Sequence, residues 1–166
     1  MNKQIILVIV VAVIIIGGGV VLSQKKINTP EENASNGEVS QITPKKEKVV
    51  MYKSPNCGCC VGYAKFLRDQ GFDVEVVISE DISGLKDKYG ISGNMRSCHT
   101  IAMGDYFVEG HVPMEAVKKM LDEKPDIDGI TLPGMPSGTP GMPGLKREPY
   151  IIYQILNGES SEYMTI

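Results

Sequence analysis

The sequence lacks the common signatures of nucleotide-binding and hydrolytic enzymes. It has no P-loop, no GxGxxG, no GxSxG, no HExxH and no EF-hand loop, and no pair of carboxylates stands out from an ordinary charged surface. Such motifs supply the phosphate-binding backbone, the nucleophile or the metal ligands that these activities require. Nucleotide-dependent and hydrolytic functions therefore have no residues to support them.

An excess of positive charge is also missing. The 166 residues include 17 Lys and Arg against 20 Asp and Glu, so the formal net charge is -3. A protein that binds nucleic acid needs basic surface to neutralise phosphates, so no nucleic-acid partner is expected. The length suits one folded domain with appendages and is too short for two full cores.

The N-terminal segment is an uncharged apolar run, IILVIVVAVIIIGGGVVL, which covers residues 5–22. As a helix it would extend about 27 Å, which is close to the thickness of a hydrocarbon core. The run is long for a secretory signal and no A-x-A-like cleavage site is clear. We therefore interpret residues 1–22 as a transmembrane anchor in preference to a cleaved signal. The rest of the protein is expected outside the cytoplasm, membrane-anchored or secreted, in the periplasm or at the cell surface.

The remaining chain divides by composition. Residues 23–46 are rich in Asn, Ser, Glu and Lys and have almost no large apolar side chains, which is typical of a flexible tether. Residues 47–166 are long enough to form one core. We expect them to be the folded domain.

Hydrophobic patterns in this domain predict a β-α-β-α-β-β-α order, followed by a last strand before the turn signal Asn157-Gly158. The first helix should bury a stripe with Val61, Ala64 and Leu67, and Asp81 or Ser83 should cap the second. The predicted strands cover residues 48–54, 72–79, 99–104 and 105–110, and the helices cover 60–71, 81–90 and 112–125. This order predicts an α/β fold, a small mixed sheet with helices on its faces.

Three of the four cysteines, Cys57, Cys59 and Cys60, lie within four positions, and the fourth is Cys98. Adjacent Cα atoms are about 3.8 Å apart, too close for an unstrained disulfide between Cys59 and Cys60. A bridge between Cys57 and Cys60 has CxxC spacing, but it leaves Cys59 alone or paired with Cys98. The other arrangement, 57–98 with 59–60, includes the strained pair. A purely structural role as disulfides is therefore disfavoured.

Metal binding is the favoured role for these cysteines. The triplet precedes a predicted helix, whose N-terminal N–H groups and dipole stabilise thiolates. Thiolates are soft ligands that suit Cu(I) or Zn(II). Structural zinc usually draws on two paired knuckles, a form that a lone Cys98 opposite a crowded triplet lacks, so zinc takes second place. Bridging thiolates would allow more than one Cu(I) ion.

Four further residues are candidates for secondary ligands or for the surroundings of the metal. His99 follows Cys98, but side chains alternate along a strand and would turn it away from the cluster. His111 lies in a turn before a helix, where a hydrogen bond to the cluster loop is an alternative. Met135 and Met142 lie in a segment that repeats PGMP, where they either meet copper or fill apolar gaps.

Four motifs in order, YKSPNCGCC, MRSCHT, EGHVP and LPGMPSGTPGM, resemble the CopG-like copper-resistance proteins, small exported proteins once catalogued only as a domain of unknown function. The resemblance covers residues 48–156. It implies a thioredoxin-like mixed sheet, with Cys98 in the segment where thioredoxins place a cis-proline. It also implies a copper-handling role outside the cytoplasm, in which Cys57, Cys59, Cys60 and Cys98 bind copper.

Two functions of different classes are consistent with these residues. The favoured one is a non-enzymatic protein that sequesters or relays Cu(I) in copper homeostasis or resistance, with a copper exporter or a cuproprotein as candidate partner. The alternative is a thiol-disulfide oxidoreductase in which Cys57 attacks and Cys60 resolves the mixed disulfide.

Overall fold

The structure is a computed structural model that describes residues 45–166. The predicted anchor and nearly all of the predicted tether lie outside these residues. Between residues 45 and 166, no helix combines the length and apolar character needed to cross a membrane.

The described part of the chain contains seven strands, three α-helices and one short 3-10 turn, Gly93–Met95. The strands are β1 (Lys48–Lys53), β2 (Asp73–Ile78), β3 (His99–Met103), β4 (Tyr106–Glu109), β5 (Gly129–Thr131), β6 (Ile151–Leu156) and β7 (Glu159–Thr165). The helices are α1 (Cys59–Asp69), α2 (Ile82–Lys88) and α3 (Met114–Glu123). The predicted order of elements is confirmed as far as α3.

All seven strands join one sheet in the order β2-β1-β3-β4-β5-β6-β7. The pairs β1–β2 and β4–β5 are parallel and the other neighbours are antiparallel, which confirms a mixed α/β fold. Strand β5 was not predicted. Its three buried residues are too few to show an alternating pattern, and it is a strand because it hydrogen-bonds to β4 and β6.

Local signals at two element ends are confirmed. The Asp81 carboxylate accepts a hydrogen bond from the Gly84 N–H at 2.8 Å, which caps α2. Asn157 and Gly158 both have positive φ and join β6 to β7 as a tight hairpin.

The buried face of α1 differs by one position from the prediction. Cys60, Tyr63, Ala64 and Leu67 are buried at helical spacing, whereas Val61 is 65% exposed. The prediction for Val61 is wrong because it weighed apolar character alone. Cys60 occupies the buried position that was expected for Val61, so one cysteine of the triplet faces the core.

The register of the sheet determines which loops meet. Lys53, the last residue of β1, lies opposite His99, the first residue of β3, and Thr100 pairs with Glu109 at the end of β4. Both pairings are antiparallel, so three connections meet at the same end of the strands. They are the chain that leaves β1, the chain that enters β3 and the chain that leaves β4. The cysteine triplet, Cys98 and His111 belong to these three connections.

The Pro/Gly-rich segment after β5, residues 132–144, packs against the start of α1. At Gly141, whose φ is +80°, an added Cβ would lie 2.5 Å from the Tyr63 nitrogen. The Tyr150 hydroxyl donates to the Ser137 carbonyl at 2.7 Å and ties the segment to the chain just before β6. Only glycine allows the segment and helix α1 to approach so closely.

We predict that Gly141→Ala destabilises the protein more than Gly134→Ala. Both glycines have φ near +80°, but the space around Gly134 is open. Gly134→Ala should cost about 1 kcal/mol for the left-handed backbone, and Gly141→Ala about 1–3 kcal/mol more for the clash. Urea unfolding of the metal-free protein measures both. Equal losses would contradict the close packing on α1.

Candidate metal centre

The cysteine triplet lies where β1 passes into α1. Lys53 is buried, and its Nζ donates to the carbonyls of Ser54 and Pro55 at 2.9 and 3.3 Å, which holds the loop before Cys57. Gly58 is the N-cap of α1 and has no side chain to occupy the free N–H groups. Cys59 and Cys60 lie in the first turn of α1, so their side chains are attached at the positive end of the helix dipole.

Cys98 immediately precedes β3 and meets the triplet. Its Sγ lies 3.4 Å from Cys60 Sγ and 3.6 Å from Cys59 Sγ, and Cys59 Sγ is also 3.6 Å from Cys57 Sγ. All four sulfurs lie within 4.8 Å of one another. The expectation that sulfurs from two distant parts of the chain converge is therefore confirmed.

Two of the four cysteines are joined in a disulfide. Cys57 and Cys60 are bonded with their Cα atoms 5.6 Å apart, and Cys59 and Cys98 are free thiols. Among the arrangements that the spacing allows, this is the CxxC bridge with Cys59 left unbonded. Since thiolates are the metal-ligating form of cysteine, this bond must be reduced before four thiolates are available.

Both histidines lie beside Cys98 and are fully buried. His99 Nδ1 is 3.5 Å and His111 Nε2 is 3.9 Å from Cys98 Sγ. These three ligand atoms form a second group within 4.8 Å of one another. The expectation that His99 turns away from the cluster is wrong because Cys98 lies before the strand begins, where strand alternation does not apply.

The orientation of His111 is set by the Pro/Gly-rich segment. Its Nδ1 lies 2.7 Å from the Pro140 carbonyl oxygen, which can only accept, so Nδ1 carries the proton. In the neutral ring, Nε2 then presents its lone pair toward Cys98. No local pattern could reveal this contact, because its partners are 29 residues apart.

Tyr63 supports the site and was not singled out from the sequence. Its ring centroid lies 5.1 Å from that of His99 and 5.1 Å from that of His111. Its hydroxyl donates to the Val112 carbonyl at 2.7 Å, and burial raises the pKa of Tyr63, which keeps the group neutral. The position three residues after Cys60, on the same helix face, is the signal that could have identified it.

Met135 and Met142 are both half-buried in the Pro/Gly-rich segment. Met135 has a φ of +47°, and the Met142 N–H donates to the Thr139 carbonyl at 2.9 Å. The segment contacts the site through a residue between the two methionines, Pro140, whose carbonyl accepts the hydrogen bond from His111 Nδ1. Ligation by either methionine stays a prediction.

Burial keeps Cys98, His99 and His111 uncharged in the metal-free protein. Burial, together with the hydrogen bond and charge of Cys59, raises the pKa of Cys98 to about 12. The helix-terminus argument for low-pKa thiols therefore does not extend to Cys98. Burial, then His111 and Lys86, lower the pKa of His99 to about 3, and burial also lowers the pKa of His111. Neutral imidazoles can ligate at once, whereas Cys98 must lose its proton to a binding metal.

Comparison with known proteins places these residues in a family. The model of a family described as a protein of unknown function, DUF411, matches residues 95–142, which include Cys98, both histidines and most of the Pro/Gly-rich segment. Two solved structures, described as form 1 and form 2 of the copper resistance protein copG, are each 35% identical to this chain. Each alignment covers 73% of this chain and 98% of the other, with TM-scores of 0.66 and 0.67. No curated protein matches the chain significantly.

We predict that the metal-free protein loses stability as the pH falls from 6.5 toward 3. The folded-state pKa of His99, about 3, lies below its ordinary value of 6.5, so in this range the unfolded chain binds a proton that the folded chain excludes. One such histidine contributes a slope of about 1.4 kcal/mol per pH unit, and its stabilisation is complete above pH 6.5.

Chemical denaturation at several pH values measures this slope. The same measurements are made on His99→Phe, which removes the contribution of His99. The carboxylates that also titrate in this range are present in both proteins, so the difference between the two profiles reports His99. The pH profile of the variant should be flatter between pH 3 and 6.5. Identical slopes in the two proteins would contradict the assignment.

Proposed function

The chain belongs to the family of CopG copper resistance proteins, and on this premise we propose that it binds Cu(I) outside the cytoplasm and sequesters or relays it in copper homeostasis. Its copper-related role is supported by these relatives together with a cysteine cluster able to hold metal. The proposed ligands are Cys57, Cys59, Cys60 and Cys98.

The convergence of four sulfurs is the observation that carries this proposal. Donor atoms 3.4 to 3.6 Å apart can contact a common ion, and thiolates prefer soft metals such as Cu(I) over Mg²⁺ or Ca²⁺. When bound, copper would supply a soft monovalent centre that thiolates can bridge, so the cluster suits more than one ion. Zinc is the second candidate because it accepts the same thiolates and imidazoles.

The histidines complete the donor set. His111 Nε2 points toward Cys98 with its tautomer already set by Pro140, so it can ligate without losing a proton. His99 Nδ1 lies even nearer the same sulfur. We assign both to the edge of the copper site, either as nitrogen ligands or as groups that orient Cys98.

The disulfide suggests how copper is released. When the Cys57 and Cys60 thiolates exchange with an external disulfide, they give up two electrons and join in one bond, and the external disulfide leaves as two thiolates. This withdraws half of the sulfur ligands. Reduction by an external dithiol returns the electron pair and restores four thiolates. Copper binding is thus coupled to the thiol redox state.

The fold and the disulfide support the remaining parts of the proposal. The arrangement β2-β1-β3-β4, with α1 carrying the cysteines directly after β1, is consistent with the expected thioredoxin-like fold. A disulfide is typical of an oxidising compartment, which favours the periplasm or cell surface and an N-terminal membrane anchor. The proposed partner is a copper exporter or a cuproprotein.

A thiol-disulfide oxidoreductase is the second candidate, favoured by the Cys57–Cys60 disulfide at a helix N-terminus. Its weakness is access. Cys57 is 7% exposed and Cys60 is fully buried, so an attacking thiolate has little room to reach a protein substrate.

We predict that the reduced protein binds Cu(I) with protection of all four thiols. The test is anaerobic loading followed by elemental analysis and thiol counting on the same sample. The oxidised, metal-free protein should show two thiols, those of Cys59 and Cys98, and should retain far less copper. Copper bound while all four thiols stay reactive would contradict a thiolate site, and four thiols in air-oxidised protein would contradict the disulfide switch.

We predict that Cys60→Ser separates the two functions. In a copper-binding protein the variant should lose at least tenfold in Cu(I) affinity, because a hydroxyl is a poor ligand for soft metals, and it should form no mixed disulfide with other proteins. In an oxidoreductase the same change should trap a substrate on Cys57. Val61→Ser is the matched control, since it lies on the same helical turn but is exposed. Trapped substrates without loss of copper binding would favour the enzyme.

A further inference from the structure

A single buried carboxylate accepts hydrogen bonds from residues on both sides of Cys98. Glu109 is fully buried at the end of β4. Its Oε1 accepts from the Ser97 N–H at 2.5 Å, and its Oε2 accepts from the Thr100 hydroxyl at 2.6 Å. Ser97 precedes Cys98 and Thr100 follows it by two residues, so Glu109 bridges the turn that carries the sulfur.

Lys86 of α2 completes this group. Its Nζ donates to Glu109 Oε1 at 2.5 Å and to Thr100 Oγ1 at 2.9 Å, and the side chain is only 3% exposed. A carboxylate is an acceptor with two oxygens, which matches the three donors around it, whereas an amide would present an N–H to one of them. We call Lys86, Glu109 and Thr100 the buried clamp.

Stability alone gives no reason for a buried ion pair here. Desolvation of two charges is costly, and apolar residues of similar volume often replace such a pair with no loss of stability. The clamp holds a part of the chain that the sheet does not hold. Ser97 lies outside β3, and its N–H donates to the Glu109 carboxylate and not to a carbonyl of a neighbouring strand.

The end of β4 that carries Glu109 is also packed tightly onto the Cys98 turn. A Cβ on Gly110 would lie 2.8 Å from Ser97 Oγ, and the Gly110 N–H donates to the His99 carbonyl at 3.2 Å. His111 follows directly. The clamp therefore relates the position of Cys98 to that of His111.

We propose that Glu109 and Lys86 are positioning residues that hold the Cys98 sulfur in the copper centre. They contact the backbone or side chains next to Cys98 and act only through it. This inference rests on the proposed function, because it assigns the clamp to the same site.

A double-mutant cycle tests the clamp on the full chain, reduced and anaerobic. Lys86→Met combined with Glu109→Met removes both charges at similar volume, which avoids leaving one buried ion unpaired. Cu(I) affinity is measured by competition with a chromophoric chelator, and the thiolate-to-copper absorption band is recorded. The clamp variant should lose at least tenfold in affinity and shift the band. The same changes in a Cys98→Ser background should alter affinity less than twofold.

One control variant and one milder clamp variant separate positioning from general damage. Lys119→Met with Glu123→Met removes an exposed ion pair on α3 and should leave affinity unchanged. Thr100→Val removes one donor to Glu109 while keeping the shape, and it should give a smaller loss that also vanishes with Cys98→Ser. This milder variant carries the test if the double variant fails to fold, as judged by circular dichroism.

A measurement without metal gives an independent readout. In the disulfide-bonded protein, alkylation of Cys98 relative to Cys59, followed by peptide mapping, reports how firmly the Cys98 turn is held. The clamp variant should increase this ratio severalfold, and the α3 control should not.

The outcomes distinguish the two proposals. An equal loss of affinity with and without Cys98, or no loss at all, overturns the clamp and leaves the copper site standing. If Cys98→Ser itself leaves Cu(I) affinity unchanged, Cys98 is not a ligand, and both the four-cysteine site and the clamp are overturned.

Discussion

The antiparallel register of β1 against β3 is the constraint on which the site depends. It places Lys53 opposite His99, so the loop that leads to Cys57 and the turn that carries Cys98 leave the sheet together. A shift of one residue would turn every side chain of β3 to the other face and would separate Cys98 from the triplet. The buried side chains on both strands oppose such a shift, and the close packing of the sulfurs thus follows from the hydrophobic core.

The site combines reactive sulfur with groups that burial keeps neutral. Cys98 remains a protonated thiol and both imidazoles remain unprotonated, so these three side chains carry no charge in a poorly solvated position. A soft cation that displaces the thiol protons supplies the charge that stabilises the thiolates. The disulfide keeps the Cys57 and Cys60 sulfurs neutral as well, and under the proposed function it would compete with the metal for these two ligands.

Long-range polar contacts orient the ligands around the cluster. The Pro140 carbonyl sets the tautomer of His111, and the Glu109 carboxylate holds the turn around Cys98. The family model that matches residues 95–142 covers Cys98, His111 and both of these contacts but not the triplet. The distal part of the site is thus more than a single cysteine, and its geometry comes from packing between β4, the Pro/Gly-rich segment and α1.

Features that depend on neighbours a few residues apart could be predicted from the amino-acid sequence. The order of strands and helices through α3, the Asp81 cap, the Asn157-Gly158 turn and the crowded triplet at a helix start are local, and motif resemblance identified Cys98 as their partner. Other features became visible in the folded protein alone: strand β5, the burial of Cys60 in place of Val61, the placement of His99 and the contacts of Pro140, Lys86 and Glu109. These features arise from pairing and packing between segments that are distant in the chain, and short-range periodicity carries no information about such contacts.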